Sequence, residues 1–472
     1  MRPGVLIYLF LLLLNIEQIA AQKNTFTADQ LIEQVMKYHP LSKQADLIID
    51  KAKAEVLAAR GNFDPMLSNE VGQKSFTGDM YYYYNRPKLE IPTWGGVEIT
   101  AGTNYLSGSK TDPEDTRGAS HFWGLSVPLA KDLLMDKRRA MLRTAQIYRE
   151  ARDYERKAIL NDILLEALRV YWNWSQQYQV CQVLEETMKL TSQRVQWVRT
   201  AYLLGDRAAI DTIEAFTQLQ QLELQFNMAQ MELQNNRYEL SSFLWNERSE
   251  PVDLDNSFIP VANSNVDEKL NDPLSTLLES AIMNHPELKQ YPFKLEALAV
   301  EKKWKFQELL PEARFQYNQL GRGFNLLGAD SGPLFGNNFQ YALSLGIPLR
   351  LSKGRAEYRK TKLKIQETRL QQNNKKVLIE MKLRSIYNEW QTLRRQVDLQ
   401  QRSLNNFLLL QRAEESRFRN GESSLFLVNA RENKVLEGKQ KLLELKNKYS
   451  FTSYKLRWAM GDLGEWKGKH QL

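Results

Sequence analysis

Apolar residues recur at helical spacing through Asp132–Leu204, 73 residues with no proline and no glycine. Leu165, Leu168, Trp172, Tyr178, Cys181, Leu184, Met188, Val195, Val198 and Tyr202 fall three or four positions apart, or at sums of those. That spacing predicts one apolar stripe on one continuous helix. At a rise of about 1.5 Å per residue the stretch would extend roughly 110 Å, too long for the core of a compact domain. Such a helix packs side by side with others, in coiled-coil fashion. Gly205 interrupts the pattern, and Ala208–Leu244 predicts a returning helix. The same sequence of events occurs later, with Lys353–Asn420 as the long helix, Gly421 as the break and Ser424–Met460 as the return.

The segments before these helices have a different period. Leu31 to about Arg60 reads as two helices parted at His39-Pro40, because proline lacks a backbone donor and disfavours helix in the residue before it. From Pro65 to Pro128 the residues alternate, as in Val97–Tyr105, among glycines, asparagines and the aromatic run Tyr81–Tyr84. Alternation of this kind predicts strands. Between Pro311 and Pro348 the strand candidates are Ala313–Leu320 and Phe339–Leu345, joined by the Gly-rich loop 321–338.

These parallels make the chain a tandem repeat. Leu31–Pro40 returns as Leu277–Pro286, both ending in His-Pro and lying 246 residues apart. Leu125–Leu129 (LSVPL) returns as Leu345–Leu349 (LGIPL), and Gly205 answers to Gly421. The expected organisation is a signal segment over 1–21, a first repeat over 22–246, a connector over 247–271 and a second repeat over 272–472. Within the repeats, strands are expected over about 66–128 and 312–348, and long helices over about 132–245 and 353–460. The strand region of the first repeat is 26 residues the longer, which predicts an extra hairpin or a longer loop.

The N-terminus sets the expected compartment. Arg2, the apolar run Val5–Leu14 and the small residues Ala20-Ala21 have the form of a cleaved secretory signal peptide. No cysteine follows it to be lipidated, and the single Cys181 lies on the apolar stripe as a small core residue. No further run is long and apolar enough for a transmembrane helix, so any entry into a membrane is by strands. The strand pattern fits a soluble β-subdomain and an outer-membrane barrel equally. Four strands cannot close a barrel alone, and lipid does not tolerate open edges, so a barrel would have to be shared between chains. The net charge of +8 comes from basic residues interleaved with acidic ones along helices, which is a solvated face and not a nucleic-acid surface. With four histidines and no zinc, phosphate-loop or nucleophile-elbow motif, the sequence predicts no enzyme, no cofactor and no metal site.

The doubled order of these features resembles the TolC-like outer membrane efflux protein family over essentially the whole mature chain. The matching marks are Pro40 and Pro286, the strand-to-helix turns at Pro128 and Pro348, and the glycine turns Gly205–Ala215 and Gly421–Ala430. The resemblance implies a mostly α protein with membrane β: a homotrimer in which four strands per chain form a shared twelve-stranded barrel, continued by a periplasmic tunnel of long antiparallel helices. It implies an outer-membrane exit duct of a tripartite efflux or type I secretion system in a Gram-negative bacterium. The implied partners are outer-membrane lipid, a periplasmic adaptor and an inner-membrane pump, with no nucleic acid. The glycine turns would lie at the periplasmic tip, where Asp211 and Glu214 share one helix face. The chain departs from the family in having His39 and His285 where asparagine is usual. It also departs in the second turn, where Glu422 is followed by Leu427 and Asn429 in place of an acidic pair. The alternative is a different class, an exported coiled-coil scaffold or adaptor that never enters the membrane.

Overall fold

The computed structural model describes residues 24–112, 114–261, 272–324 and 332–465. The expected signal segment lies outside the described residues, as do parts of the connector and of the 321–338 loop. In chain order the elements begin with β1 (Asn24–Phe26), α1 (Ala28–Tyr38) and α2 (Pro40–Gly61). Strands β2 (Met66–Phe76), β3 (Asp79–Pro92), β4 (Glu98–Ser107) and β5 (Gly118–Pro128) follow, then α3 (Lys137–Leu203) and α4 (Ala209–Ser241). The second half holds β6 (Phe258–Pro260), α5 (Leu274–Asn284), α6 (Pro286–Gln307), β7 (Glu312–Arg322), β8 (Phe339–Gly346), α7 (Ser352–Arg419) and α8 (Leu425–Met460).

Local chemistry accounts for most boundaries. Thr27 starts α1 with a capping box: its hydroxyl accepts the Gln30 backbone N–H at 3.1 Å, and the Gln30 side-chain oxygen accepts the Thr27 N–H at 2.8 Å. The break at His39-Pro40 falls where the proline requires it. The first long helix begins at Lys137 rather than Asp132, because Asp132 has a left-handed backbone (φ 67°). The start is set by Asp136, whose carboxylate accepts the Arg139 backbone N–H at 2.8 Å.

The chain divides into two compact units, and each draws on both repeats. The first comprises the described parts of Met1–Asp46, Arg156–Pro286 and Lys376–Leu472. Its main core joins Leu31, Ile32 and Val35 of α1 to Leu164, Leu168, Tyr171 and Trp174 of α3 and Leu240 of α4. Burial of each such side chain contributes about 1.5–3 kcal/mol. Beside it β1 pairs with β6 in parallel, and the Tyr171 hydroxyl donates to the Phe26 carbonyl at 2.8 Å. Along the helices smaller clusters follow, one of Cys181, Leu184, Leu222, Ala229 and Leu436, another of Val198, Ala215, Phe418, Leu425 and Val428. Cys181 is therefore a core residue, and burial pushes its thiol up to about 11. The stripe frays before its end, with Tyr202 exposed.

The second unit comprises Leu47–Glu155 and Glu287–Lys375. Its helical ends pack Val56, Ala59 and Phe63 on Leu142, and Ala140 and Ile147 on Ala297 and Val300. Its sheet is antiparallel throughout, in the order β2-β3-β4-β5-β7-β8. That is six strands in this sheet among the described residues, where the resemblance implies four. The surplus is a hairpin, the first of the two readings of the 26 extra residues, turning at Thr77 and Gly78, both in left-handed conformation. The run Tyr81–Tyr84, open between girdle and loop from sequence, lies inside β3. Pairing of β3 with β4 lapses at Arg86 and Pro87, since proline has no N–H to give the ladder. Gly102 admits the Pro87 carbonyl there: a Cβ at position 102 would sit 2.7 Å from that oxygen.

Candidate functional site

The strand registers sort the sheet's side chains onto two faces of opposite character. On one rung Leu67 pairs with Leu89, Leu89 with Ala101, Ala101 with Trp123 and Trp123 with Gln319. Val71, Ile91, Ile99, Tyr105, Leu125, Phe315, Tyr341, Leu343 and Leu345 share that face, because partners in register and residues two apart point the same way. The opposite face carries Ser68, Glu70, Arg86, Lys88, Glu90, Glu98, Thr100, Asn104, Ser126, Arg314, Gln316, Asn318 and Ser344. Exposure runs against the usual rule for globular sheets. Ile99, Trp123 and Leu125 are exposed, and so are Leu343 and Leu345, while Thr100, Ser126 and Asn318 are buried; His121, Tyr317 and Gln319 of the first face are buried as well, and β8 is exposed on both faces. The polar side is tied together by Arg138 and Arg314, which hold the two Glu98 oxygens at 2.8 and 3.3 Å.

Of the two strand-to-helix prolines, Pro128 is the last residue of β5, opposite Arg314, and Pro348 follows β8. The arginines early in α3 are engaged: Arg138 with Glu98, Arg139 with Asp136 at 3.1 Å and Arg143 with Glu296 at 3.2 Å. They are anchors at the foot of the strands and not a free cationic lining.

The glycine turns lie in the other unit and share one construction. Gly205 and Gly421 have φ of 83° and 78°. Gly205 N–H reaches the Tyr202 carbonyl and Asp206 N–H the Ala201 carbonyl; Gly421 and Glu422 repeat both bonds to Phe418 and Arg417. Each is a Schellman motif, in which a left-handed residue satisfies the last carbonyls of a helix. Arg207 lies 4.0 Å above the Phe418 ring and donates to the Phe418 carbonyl at 3.1 Å, so the first turn is fastened to the end of α7. The second turn is held by Glu414, which accepts the Ser423 hydroxyl at 2.6 Å with Arg417 and Arg431 nearby. That hydroxyl, and then the two guanidinium groups, hold its carboxyl below the usual range.

Asp211 and Glu214 stand on the first turn of α4 and just beyond it, and both are partly exposed. Asn429, whose place in the sequence breaks the acidic pattern, donates to Glu214 at 3.4 Å. Its carbonyl oxygen accepts from Arg194 at 3.2 Å, and Arg194 makes a two-pronged pair with Glu432. One turn further on, Gln218 and Asn433 exchange bonds at 2.7 and 3.4 Å. The structure thus brings Glu214 and Asn429 together, leaves Glu422 exposed at the second turn, and adds Arg194, Gln218, Glu432 and Asn433. The added residues were not singled out from sequence, because their partners lie more than 200 positions away; the only local sign was polar residues interrupting apolar spacing.

His39 ends α1 as expected but not as a cation. Burial lowers its pKa, its ring stacks on Phe243 with centroids 5.6 Å apart, and its Nδ1 accepts the Leu41 N–H at 3.2 Å. A neutral imidazole opening α2 replaces the charged cap that the helix dipole suggests. Among the described residues no group of three or more histidines, cysteines or acids could hold a metal ion, and no helix is long and apolar enough to cross a membrane.

No protein-family model matches the chain, and no curated protein matches it. Solved structures do. CusC, whose structures concern transmembrane channel formation, superposes with a TM-score of 0.68 at 16% identity, covering 94% of this chain and 95% of that one. The open-state MtrE outer membrane channel of Neisseria gonorrhoeae gives 0.66 at 15% identity, covering 92% and 88%. The CmeC outer membrane channel of Campylobacter jejuni gives 0.65 at 15%, covering 92% and 86%. The chain has the outer-membrane channel fold. At such identities the likeness lies in architecture, the long helices and the sheet.

Proposed function

We propose that this protein is the outer-membrane exit duct of a tripartite efflux or type I secretion system. Three copies enclose the pore, and an inner-membrane pump drives transport through a periplasmic adaptor. One observation carries the reading: the exposed apolar side chains Ile99, Trp123, Leu125, Leu343 and Leu345 lie on one face of the sheet, and the buried Thr100, Ser126 and Asn318 on the other. Exposed Trp123, Leu125 and Leu343 are costly in water and favoured in hydrocarbon, whereas Ser126, Thr100 and Gln316 suit a wet lumen. An exported scaffold that stays in water would need the reverse arrangement. The chain has no nucleotide-binding motif, so the driving force comes from a partner. It does no chemistry on its cargo. The export signal expected at residues 1–21 fits delivery to the outer membrane.

The Gly205 and Gly421 turns form the periplasmic tip in this reading. Asp211 and Glu214, repeated by the threefold axis, ring it with negative charge. The test is to purify the protein from outer membranes in detergent, measure its mass and record single channels in a planar bilayer. A trimeric mass with a small, cation-blockable conductance is expected, and Asp211→Ala with Glu214→Ala should relieve the block. A soluble species without conductance sinks the duct and leaves the scaffold.

A further inference from the structure

We propose that the barrel takes six strands from each chain, eighteen in the trimer, and closes where β2 of one copy pairs antiparallel with β8 of the next. This rests on the duct reading and goes beyond it, because the β2–β3 hairpin becomes part of the wall and the surface that joins copies.

The first ground is the hairpin's own faces. Leu67, Val71, Leu89 and Ile91, with Asn69, Gln73 and Asn85 among them, lie on the apolar face of the other four strands, and Ser68, Glu70, Arg86, Lys88 and Glu90 continue the polar one. A flap lying outside the barrel in water would have no reason to keep that alternation in register with β4.

The second ground is closure. The sheet's two edges are β2 and β8, both exposed along most of their length. Neither can stay open in a bilayer, where every unpaired backbone group costs several kcal/mol. Six is an even number, so β2 and β8 run in opposite directions and the joint between copies is antiparallel like all five within the chain.

The third ground is the stagger. The rung that starts at Met66 passes through Glu90, Thr100, Gly124 and Asn318 and leaves the sheet at Gln340, six residues above the foot of β8 at Gly346. If the feet of β2 and β8 meet, each chain contributes a shear of six residues over six strands. With a rise of about 3.3 Å per residue and about 4.8 Å between strands, the strands tilt by roughly 35°. Natural membrane barrels tilt by about 35–45°. The same register sets Leu67 beside Leu345 and Val71 beside Tyr341 on the apolar side, and Ser68 beside Ser344 on the polar side. A barrel of eighteen strands is about one and a half times as wide as one of twelve.

The experiment is disulfide trapping in outer membranes of cells making full-length protein with Cys181→Ala. Ser68→Cys with Ser344→Cys should give a ladder of linked dimers and trimers that reductant collapses. Thr100→Cys with Ser344→Cys should not link, because both edges of β4 are already taken. Linking of the second pair and not the first would overturn the proposal by placing the hairpin outside a twelve-stranded wall, and would leave the duct standing. A trimeric mass with neither pair linked would overturn the closure alone. A monomer that washes off the membrane would remove the duct reading with it. The unsubstituted protein supplies a second measurement: the amides of β2 that point away from β3 should resist hydrogen exchange in the trimer, and rapid exchange there would refute the joint.

Discussion

Arg194 of α3 and Glu432 of α8 form a two-pronged ion pair at 2.6 and 2.9 Å, with only 16% and 5% of their side chains exposed. A pair so far from water is stabilising only while both members are present, because a lone buried charge has lost its hydration and found nothing in return. Arg194→Ala should therefore loosen the helices around the turns by about 3–5 kcal/mol. Hydrogen exchange of amides near Gly205 and Gly421 reads that opening. Arg194→Met with Glu432→Leu should recover most of the protection. Unchanged exchange in Arg194→Ala would show that the pair contributes nothing.

The glycine turns separate strain from collision. Both have left-handed backbones, and a Cβ at either would meet no atom within 4 Å. The cost of Gly205→Val with Gly421→Val is then conformational, about 1–2 kcal/mol for each turn. The trimer's mass should survive, and capture of the adaptor should fall at least tenfold, since each 1.4 kcal/mol is a factor of about ten. Asparagine at both positions should restore capture, because it tolerates the left-handed region. Full capture by the valine variant would remove the turns from the docking surface.

The two faces of β8 predict opposite responses to one substitution. Leu343→Arg puts a guanidinium on the apolar face and should cost about 2–4 kcal/mol in the denaturant midpoint of the barrel refolded into vesicles. Ala342→Arg, one residue away, points to the polar face. It should leave the midpoint nearly unchanged and shift ion selectivity toward anions. Equal effects at the two positions would refute the assignment of faces.

His39 predicts a pH dependence of defined sign. Burial lowers its folded pKa below the ordinary 6.5, so between those two values the unfolded chain binds the proton more readily. The stability that the neutral ring contributes is present above pH 6.5 and is lost as pH falls toward the folded pKa. Thermal unfolding of the first unit should drop over that window, and His39→Asn should flatten the profile. An unchanged slope in the variant would assign the dependence to other groups.

Much of this protein was legible along the chain because its information is periodic and local. The 3.6-residue stripe through Leu168, Trp172 and Cys181 marks a helix wherever it is read, Pro40 ends α1 by its missing donor, and Gly205 and Gly421 announce turns that few other residues adopt. The tandem repeat and the 26 extra residues followed from the same kind of reading. Tertiary structure alone decided what depends on which distant residues meet. Whether Leu343 or Ser344 faces outward is a matter of register, and a shift of one residue would exchange them. That the extra residues make a paired hairpin, giving six strands and not four, rests on hydrogen bonds between Leu89 and Ala101 and their neighbours, which no local propensity encodes. The partners of Arg194 and Glu214 likewise come from the far repeat, and Asn429, which breaks the acidic pattern in the sequence, donates to Glu214 and accepts from Arg194.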